Sequence, residues 1–340
     1  MSSLRVDRIV PVVTDGETIL SVADLHVRFR VPGGGILRAV DGVSFSLRRG
    51  ETLGLVGESG SGKTVTSMAV MRLLESPPAE IAGGAVVLEG ADLMRLSERQ
   101  MSDIRGRKLS MVFQEPMTSL NPIMTIGYQI VEPLIRHLGL SAHAARGRAR
   151  ELLALVGIPD PDGALERYPH QLSGGMRQRA MIAMAIACRP AVLIADEPTT
   201  ALDVTIQAQI LELLLALQRE TGTAILLITH DLAVIAETAQ RVAVMYAGRI
   251  VETAPVAALF AAPLHPYTRG LLQSIPRIVR TPPPELSEIP GVVPSLDRLP
   301  PGCAFAERCT RADQRCRTIR PALEPAARDH EVACWNPVHD

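Results

Sequence analysis

The sequence has almost no lysine. Of its 340 residues, 35 are Lys or Arg, and only Lys63 and Lys108 are lysines. Arginine meets nearly every need for positive charge, so the compact ammonium at position 63 needs a reason of its own; a planar guanidinium does not replace it. Aromatic residues are also scarce, at 3% against 47% hydrophobic residues, which makes the core aliphatic. The net charge of −1 removes any overall electrostatic argument for a nucleic-acid partner. No apolar run approaches the roughly 20 residues that cross a bilayer. The N-terminal stretch carries scattered charge and no apolar signal-type region, so residence in the cytoplasm is expected. In that compartment the five cysteines stay reduced unless a metal holds them.

What is present is an alternation of strands and helices. Residues 25–30, 39–47 and 51–57 read as strands, the second with half-buried alternation. A helix is predicted over 63–74, with strands at 85–89 and 109–113. Residues 115–188 read as a helical insertion, in which Ser141 and Ser173 begin helices and Gly157 with Pro159 ends the first of them. Strands at 191–195, 224–229 and 241–248 then alternate with helices at 204–220 and 232–239. In the first of these helices Ile206, Ile210, Leu213, Leu214 and Leu217 share a face. This order predicts an α/β fold with a parallel sheet. Seven prolines in 281–301 mark a linker or irregular packing, and four of the five cysteines lie beyond them. The expected domains are 21–264 and a small C-terminal region, 265–340.

Gly57-Glu58-Ser59-Gly60-Ser61-Gly62-Lys63-Thr64 matches the phosphate-loop pattern G-x-x-x-x-G-K-[ST], after a strand and before a helix. Average residue usage gives such a match by accident in roughly 1% of chains this long, before the strand–helix context is required. Glycines let backbone amides curl around an anion, and the helix N-terminus adds positive potential. In that context Lys63 reaches the β- and γ-phosphates and the Thr64 hydroxyl ligates Mg²⁺. Asp196 and Glu197 end the apolar strand 191–195, at the edge where parallel sheets bind ligands. Asp196 suits Mg²⁺ and Glu197 suits polarisation of an attacking water. An acid pair at a strand end is commonplace in itself and gains this meaning from Lys63 upstream.

Four further features carry a family resemblance. Leu172-Ser173-Gly174-Gly175-Met176-Arg177-Gln178 resembles the ABC signature LSGGQ, with Met176 in place of Gln. Gln114 resembles the Q-loop glutamine, Ala201-Leu202-Asp203 the D-loop and His230 the switch histidine. A lone Gln or His is ordinarily a surface residue, and Ser-Gly-Gly an ordinary helix start; their order is what is specific. The resemblance covers about 21–260 and implies a P-loop NTPase of the ABC cassette type. That fold has a parallel sheet core, an antiparallel β subdomain and an inserted helical subdomain. It also implies ATP hydrolysis, with Glu197 and His230 catalytic and Mg²⁺ on Thr64, Gln114 and Asp196. Two cassettes would pair head to tail, each closing its Ser173, Gly174 and Gly175 over the partner's ATP. Phe29 is the best candidate to stack on adenine, and is equally readable as core.

The segments "GESGSGKTVT", "FQEPMTSLNPIMTIGYQI", "ADEPTTALDVTIQAQIL" and the tail "PLHPYTRGLLQSIP" resemble the ATPases of bacterial dipeptide and oligopeptide importers, nearer to the first of their usual pair. This resemblance implies a second ATPase subunit (hetero- or homodimer), two integral-membrane permeases, an extracytoplasmic peptide-binding protein and a seat on the cytoplasmic face of the inner membrane. Nickel and some sugar importers share the motor type. Cys303, Cys309, Cys316 and Cys334 stand at spacings x5, x6 and x17, without the short C-x2–4-C pair of zinc sites. They suit an iron–sulfur cluster at least as well, and some members of the resembled subfamily carry [4Fe-4S] there; zinc and no metal remain open. Cys188 stands apart in a helix and reads as buried and inert. His265-Pro266-Tyr267-Thr268 reads as a turn and helix start without chemistry. A nucleic-acid ABC ATPase, a P-loop kinase and a non-hydrolysing ATP-binding module are the rival readings. Near-neutral charge, the signature with its switch histidine, and Glu197 together with His230 argue against them in turn.

Overall fold

Two sheets carry the fold in the computed structural model, which describes residues 16–31, 33–199, 204–275 and 288–338. The strands are β1 (Thr18–Arg30), β2 (Ile36–Arg48), β3 (Thr52–Val56), β4 (Ala79–Leu88), β5 (Ala91–Asp92), β6 (Leu109–Val112), β7 (Val192–Asp196), β8 (Ala224–Thr229), β9 (Arg241–Tyr246), β10 (Arg249–Pro255), β11 (Glu324–Ala327) and β12 (His330–Val332). The smaller sheet is antiparallel, in the order β2-β1-β4-β5. In β1 the buried residues change phase, from Leu20 and Val22 to Leu25 and Val27. A register shift between Val22 and Leu25, with Asp24 at φ 49°, makes that change; without it a period-2 strand would turn one of the two sets to solvent.

The larger sheet runs β11-β12-β10-β9-β3-β8-β7-β6. Strands β6, β7, β8, β3 and β9 are mutually parallel. β3, β6, β7 and β8 are buried along their whole length, which is why they read as unbroken apolar runs instead of alternating ones. Their C-terminal ends lead into Gly57, Gln114, Asp196 with Glu197, and His230. Parallel alignment thus brings residues from four distant segments to one edge.

The helix after β3 spans Lys63–Val70, shorter than the expected 63–74. Arg72 takes a left-handed φ of 52° and the Leu73 N–H turns back to the Met68 carbonyl at 2.8 Å, so the chain leaves the helix early. The insertion holds helices Ile126–Leu138, Ala142–Leu155 and Gly174–Ile186. As expected, Ser141 and Ser173 cap their helices, accepting from the Ala144 and Met176 N–H groups at 3.3 Å each. Gly157, at φ 74°, closes the turn after the second. Among the described residues no helix is long and apolar enough to cross a membrane.

The C-terminal region is less irregular than its prolines suggest. β12 pairs antiparallel with β10 (Glu252↔Val332, Thr253↔Glu331), and β11 continues the sheet outward. Glu252 fixes this joint: fully buried, it accepts the N–H groups of Leu264 and His265 at 2.7 and 2.9 Å and bonds His330 Nε2 at 2.7 Å. The expected linker 281–301 lies partly outside the described residues.

Candidate active site

The phosphate loop is shaped by its glycines. Gly57 lies at φ 156° and Gly62 at φ 103°, and a Cβ would stand 2.1 Å from the Met245 carbonyl oxygen at the first and 2.5 Å from that of Ala39 at the second. No other residue type fits those backbone approaches. Lys63 Nζ bonds the carbonyls of Gly57 and Glu58 at 2.8 and 3.0 Å, folded back onto its own loop. Burial pulls its pKa down, against the charges of Glu197, Asp196 and Glu58. Ser61 Oγ is buried without a hydrogen-bond partner among the described residues, an open polar group inside the loop.

Asp196, 1% exposed, faces this loop. Its Oδ1 accepts from Thr64 Oγ1 at 3.3 Å and its Oδ2 from Ser67 Oγ at 3.4 Å. Burial pushes its pKa up, and Glu197 adds to the shift. Ser67 escaped the sequence reading, although it lies one helical turn from Thr64 and so on the same face. Glu197 stands one residue beyond, in a left-handed backbone at φ 46°. Gln114 Nε2 donates to its Oε2 at 3.0 Å and His230 Nδ1 lies 3.2 Å from its Oε1. The fold therefore gathers Gln114, Glu197 and His230 into one group beside Lys63, Thr64 and Asp196. Two hydroxyls flank one carboxylate and two polar side chains flank the other, an arrangement able to hold a divalent cation and to orient a water.

Ser173, Gly174 and Gly175 stay outside this group. Ser173 and Gly174 are exposed at the start of their helix, and among the described residues no hydrogen bond joins the three to the phosphate loop. The Met176 side chain packs against the apolar core, which explains how this position carries no polar residue. Gln178, two residues on, donates to the Pro198 carbonyl at 2.5 Å and ties this helix to the segment after Glu197. Phe29 is half-buried in β1, opposite Leu37 and Ala79, and packs on the core between the sheets. Asp203 lies outside the described residues.

The C-terminal region reaches the phosphate loop. Tyr267 Oη accepts the Glu58 N–H at 2.8 Å, and Arg308 grips the Glu58 carboxylate with two nitrogens at 2.8 and 3.1 Å. The segment from His265 to Thr268 forms the expected turn and helix start, with His265 capping the helix Pro266–Gln273, and through Tyr267 it also touches the site. Cys303, Cys309, Cys316 and Cys334 line one cavity with His265, Phe305 and Trp335, and all four are free thiols. Burial raises the pKa of Cys303 and Cys316, and pushes Cys334 up to about 12 with its three cysteine neighbours adding. Among the described residues no three His, Cys, Asp or Glu side chains stand close enough together to hold a single metal ion. Cys188 is buried, with its thiol 3.5 Å from the Pro133 carbonyl.

A phosphate loop, a strand-end acid pair and a Gln and His on neighbouring strand ends define an ATPase cassette of the ABC class. Comparison with known proteins agrees. Residues 40–200 match the family described as "ABC transporter", and residues 251–316 the "Oligopeptide/dipeptide transporter, C-terminal region". The chain is 52% identical to the dipeptide transport ATP-binding protein DppD of Bacillus subtilis, over 94% of this chain and 95% of that one. It is 50% identical to DppD of Escherichia coli, over 95% and 98%, and 52% identical to the Bacillus subtilis oligopeptide transport protein OppD, over 93% and 88%. Among solved structures, the dimeric bacterial ABC transporter cassette MJ0796 aligns with TM-score 0.63 and 28% identity, over 70% of this chain and 99% of that one. The chain belongs to the ATP-binding subunits of the oligopeptide/dipeptide ABC transporters, and it is an ATPase.

Proposed function

We propose that this ATPase drives import of dipeptides or oligopeptides from the cytoplasmic face of the plasma membrane, docked to two permeases and supplied by an extracytoplasmic binding protein. The relatives named for dipeptide and oligopeptide transport, over nearly the whole chain and including the tail, support this reading. The observation that carries the chemistry is Glu197 held between Gln114 and His230 beside Asp196.

ATP binds across Gly57, Glu58, Ser59, Gly60, Ser61, Gly62, Lys63 and Thr64, and Lys63 leaves its two loop carbonyls for the phosphates. Mg²⁺, held by Thr64, Gln114 and Asp196, would neutralise charge developing on the β- and γ-phosphates. Glu197 orients the water and accepts its proton, with His230 against the γ-phosphate. Ser173, Gly174 and Gly175 close over the ATP of a second cassette; Asp203 is assigned to that contact from its motif alone, and the core packing of Phe29 speaks against a place on the adenine. An iron–sulfur cluster at the tail's cysteines is part of this proposal: its support is that four thiols line one cavity, with His265 Nε2 buried there without a partner among the described residues, while no three of these side chains gather around a single ion. Because His265 Nδ1 accepts the Tyr267 N–H at 3.1 Å, Nε2 carries the proton and serves as a donor, not a ligand. A [4Fe-4S] cluster held by Cys303, Cys309, Cys316 and Cys334 would staple a segment poor in apolar surface.

The test is reconstitution with the two permeases in proteoliposomes. ATP turnover should rise when binding protein loaded with a dipeptide or oligopeptide is added, and Glu197→Gln should remove that rise. Stimulation by nickel-loaded protein and none by peptide would overturn the cargo assignment and keep the motor.

A further inference from the structure

The phosphate loop contains an acid where a polyanion must bind. Glu58 directly follows Gly57, and its carbonyl is one of the two that receive Lys63. An unpaired carboxylate here would oppose the incoming triphosphate. Arg308 pairs with it from 250 residues away, and its side chain is 6% exposed. Every N–H of its guanidinium has an acceptor. Nη1 serves Glu58 and the Tyr246 hydroxyl, Nη2 serves Glu58 and the Ile289 carbonyl, and Nε serves the Pro290 carbonyl at 2.9 Å. The group also lies 5.9 and 5.8 Å from the ring centres of Tyr246 and Phe305. Five donors in a fixed fork are available to arginine alone.

Arg308 itself is held by the cysteine region. It sits in a turn between Cys303 and Cys309, built by Ala306 N–H to Cys303 O (3.0 Å), Arg308 N–H to Phe305 O (3.0 Å) and Cys309 N–H to Ala306 O (3.4 Å). The Cys303 N–H bonds the Cys316 carbonyl at 2.7 Å, fastening the turn to the next cysteine. The arginine that steadies the loop is thus carried on the rim of the thiol-lined cavity.

We infer that Arg308 is a positioning residue for ATP: it neutralises Glu58 and fixes the phosphate loop, so the cysteine region forms one wall of the nucleotide site. It touches no reacting atom. Its loss therefore acts on binding, with the chemical step intact. The inference rests on the cassette binding ATP at this loop, and Lys63→Ala separates the two. If Lys63→Ala still binds ATP, the loop assignment fails, whatever Arg308 does.

The experiment measures KM for ATP, kcat and the Kd of a fluorescent ATP analogue in the full chain. Arg308→Ala is expected to raise KM and Kd about tenfold with kcat changed less than about twofold. Removing the exposed acid, as Glu58→Gln in the Arg308→Ala background, is expected to recover at least half of the lost affinity on a logarithmic scale. Arg308→Lys, which keeps the charge and loses the fork, is expected to raise KM about threefold with a smaller fall in thermal midpoint than Arg308→Ala; it carries the test if Arg308→Ala fails to fold. An unchanged KM in Arg308→Lys and Arg308→Ala, or a double variant no better than Arg308→Ala, overturns the inference and leaves Arg308 as a packing element of the tail.

Discussion

Glu197 is held in a left-handed backbone conformation, which costs a non-glycine residue about 1–2 kcal/mol. The gain is its carboxylate fixed between Gln114 and His230. Glu197→Gln keeps shape and one acceptor and loses the base. Its ATP Kd should stay within about twofold of the parent while turnover falls about 10²–10⁴-fold, read by phosphate release. His265 gives a pH signature. Burial pushes its imidazole down to about 3 from the ordinary 6.5. Between those values the unfolded chain binds a proton that the folded chain refuses, so stability falls as pH falls. Going from pH 6.5 to 5 should cost about 2 kcal/mol, and His265→Gln should flatten that slope in urea titrations. Lys63, Asp196 and Glu197 were legible because each motif is local. Arg308 and Tyr267 were not, because their meaning lies in Glu58, some 250 and 209 residues away.

Among the elements, the buried parallel strands were readable as short apolar runs, and the capped helices by Ser141 and Ser173. The end of the first helix was missed because a left-handed Arg72, not a Gly or Pro, terminates it. The strands of the tail were missed for a different reason. β12 has three residues and gains its order from β10 and Glu252 rather than from its own pattern. Glu252→Ala should therefore unfasten the tail, leaving His330 and two backbone N–H groups buried without their acceptor. A loss of about 3–5 kcal/mol is expected, with new protease cleavage beyond Leu264 while the phosphate loop remains protected. Equal loss of protection in both regions would contradict this division.

Across the whole molecule, Gly174 separates folding from assembly. A Cβ there would meet nothing within 4 Å, so the isolated chain has no need of glycine at this exposed position. In the proposed function, a second cassette closing over it creates the need. Gly174→Val should leave the thermal midpoint nearly unchanged and lower ATP turnover of the paired cassettes at least about tenfold. Light scattering should show that it also fails to form an ATP-dependent dimer under conditions in which the parent chain does.

The pairing of β10 with β12 also has a history in time. His330 follows Glu252 by 78 residues, so at roughly 5–20 residues per second the ribosome needs roughly 4 to 16 s to deliver it. Through that interval the nascent chain already contains the phosphate loop, the signature and the switch histidine, while the outer edge of β10 stands open as a template for foreign strands. A message truncated between these two codons would yield no weakened motor. It would yield a chain with its whole set of nucleotide motifs and an unsealed edge, prone to co-aggregate on the polysome.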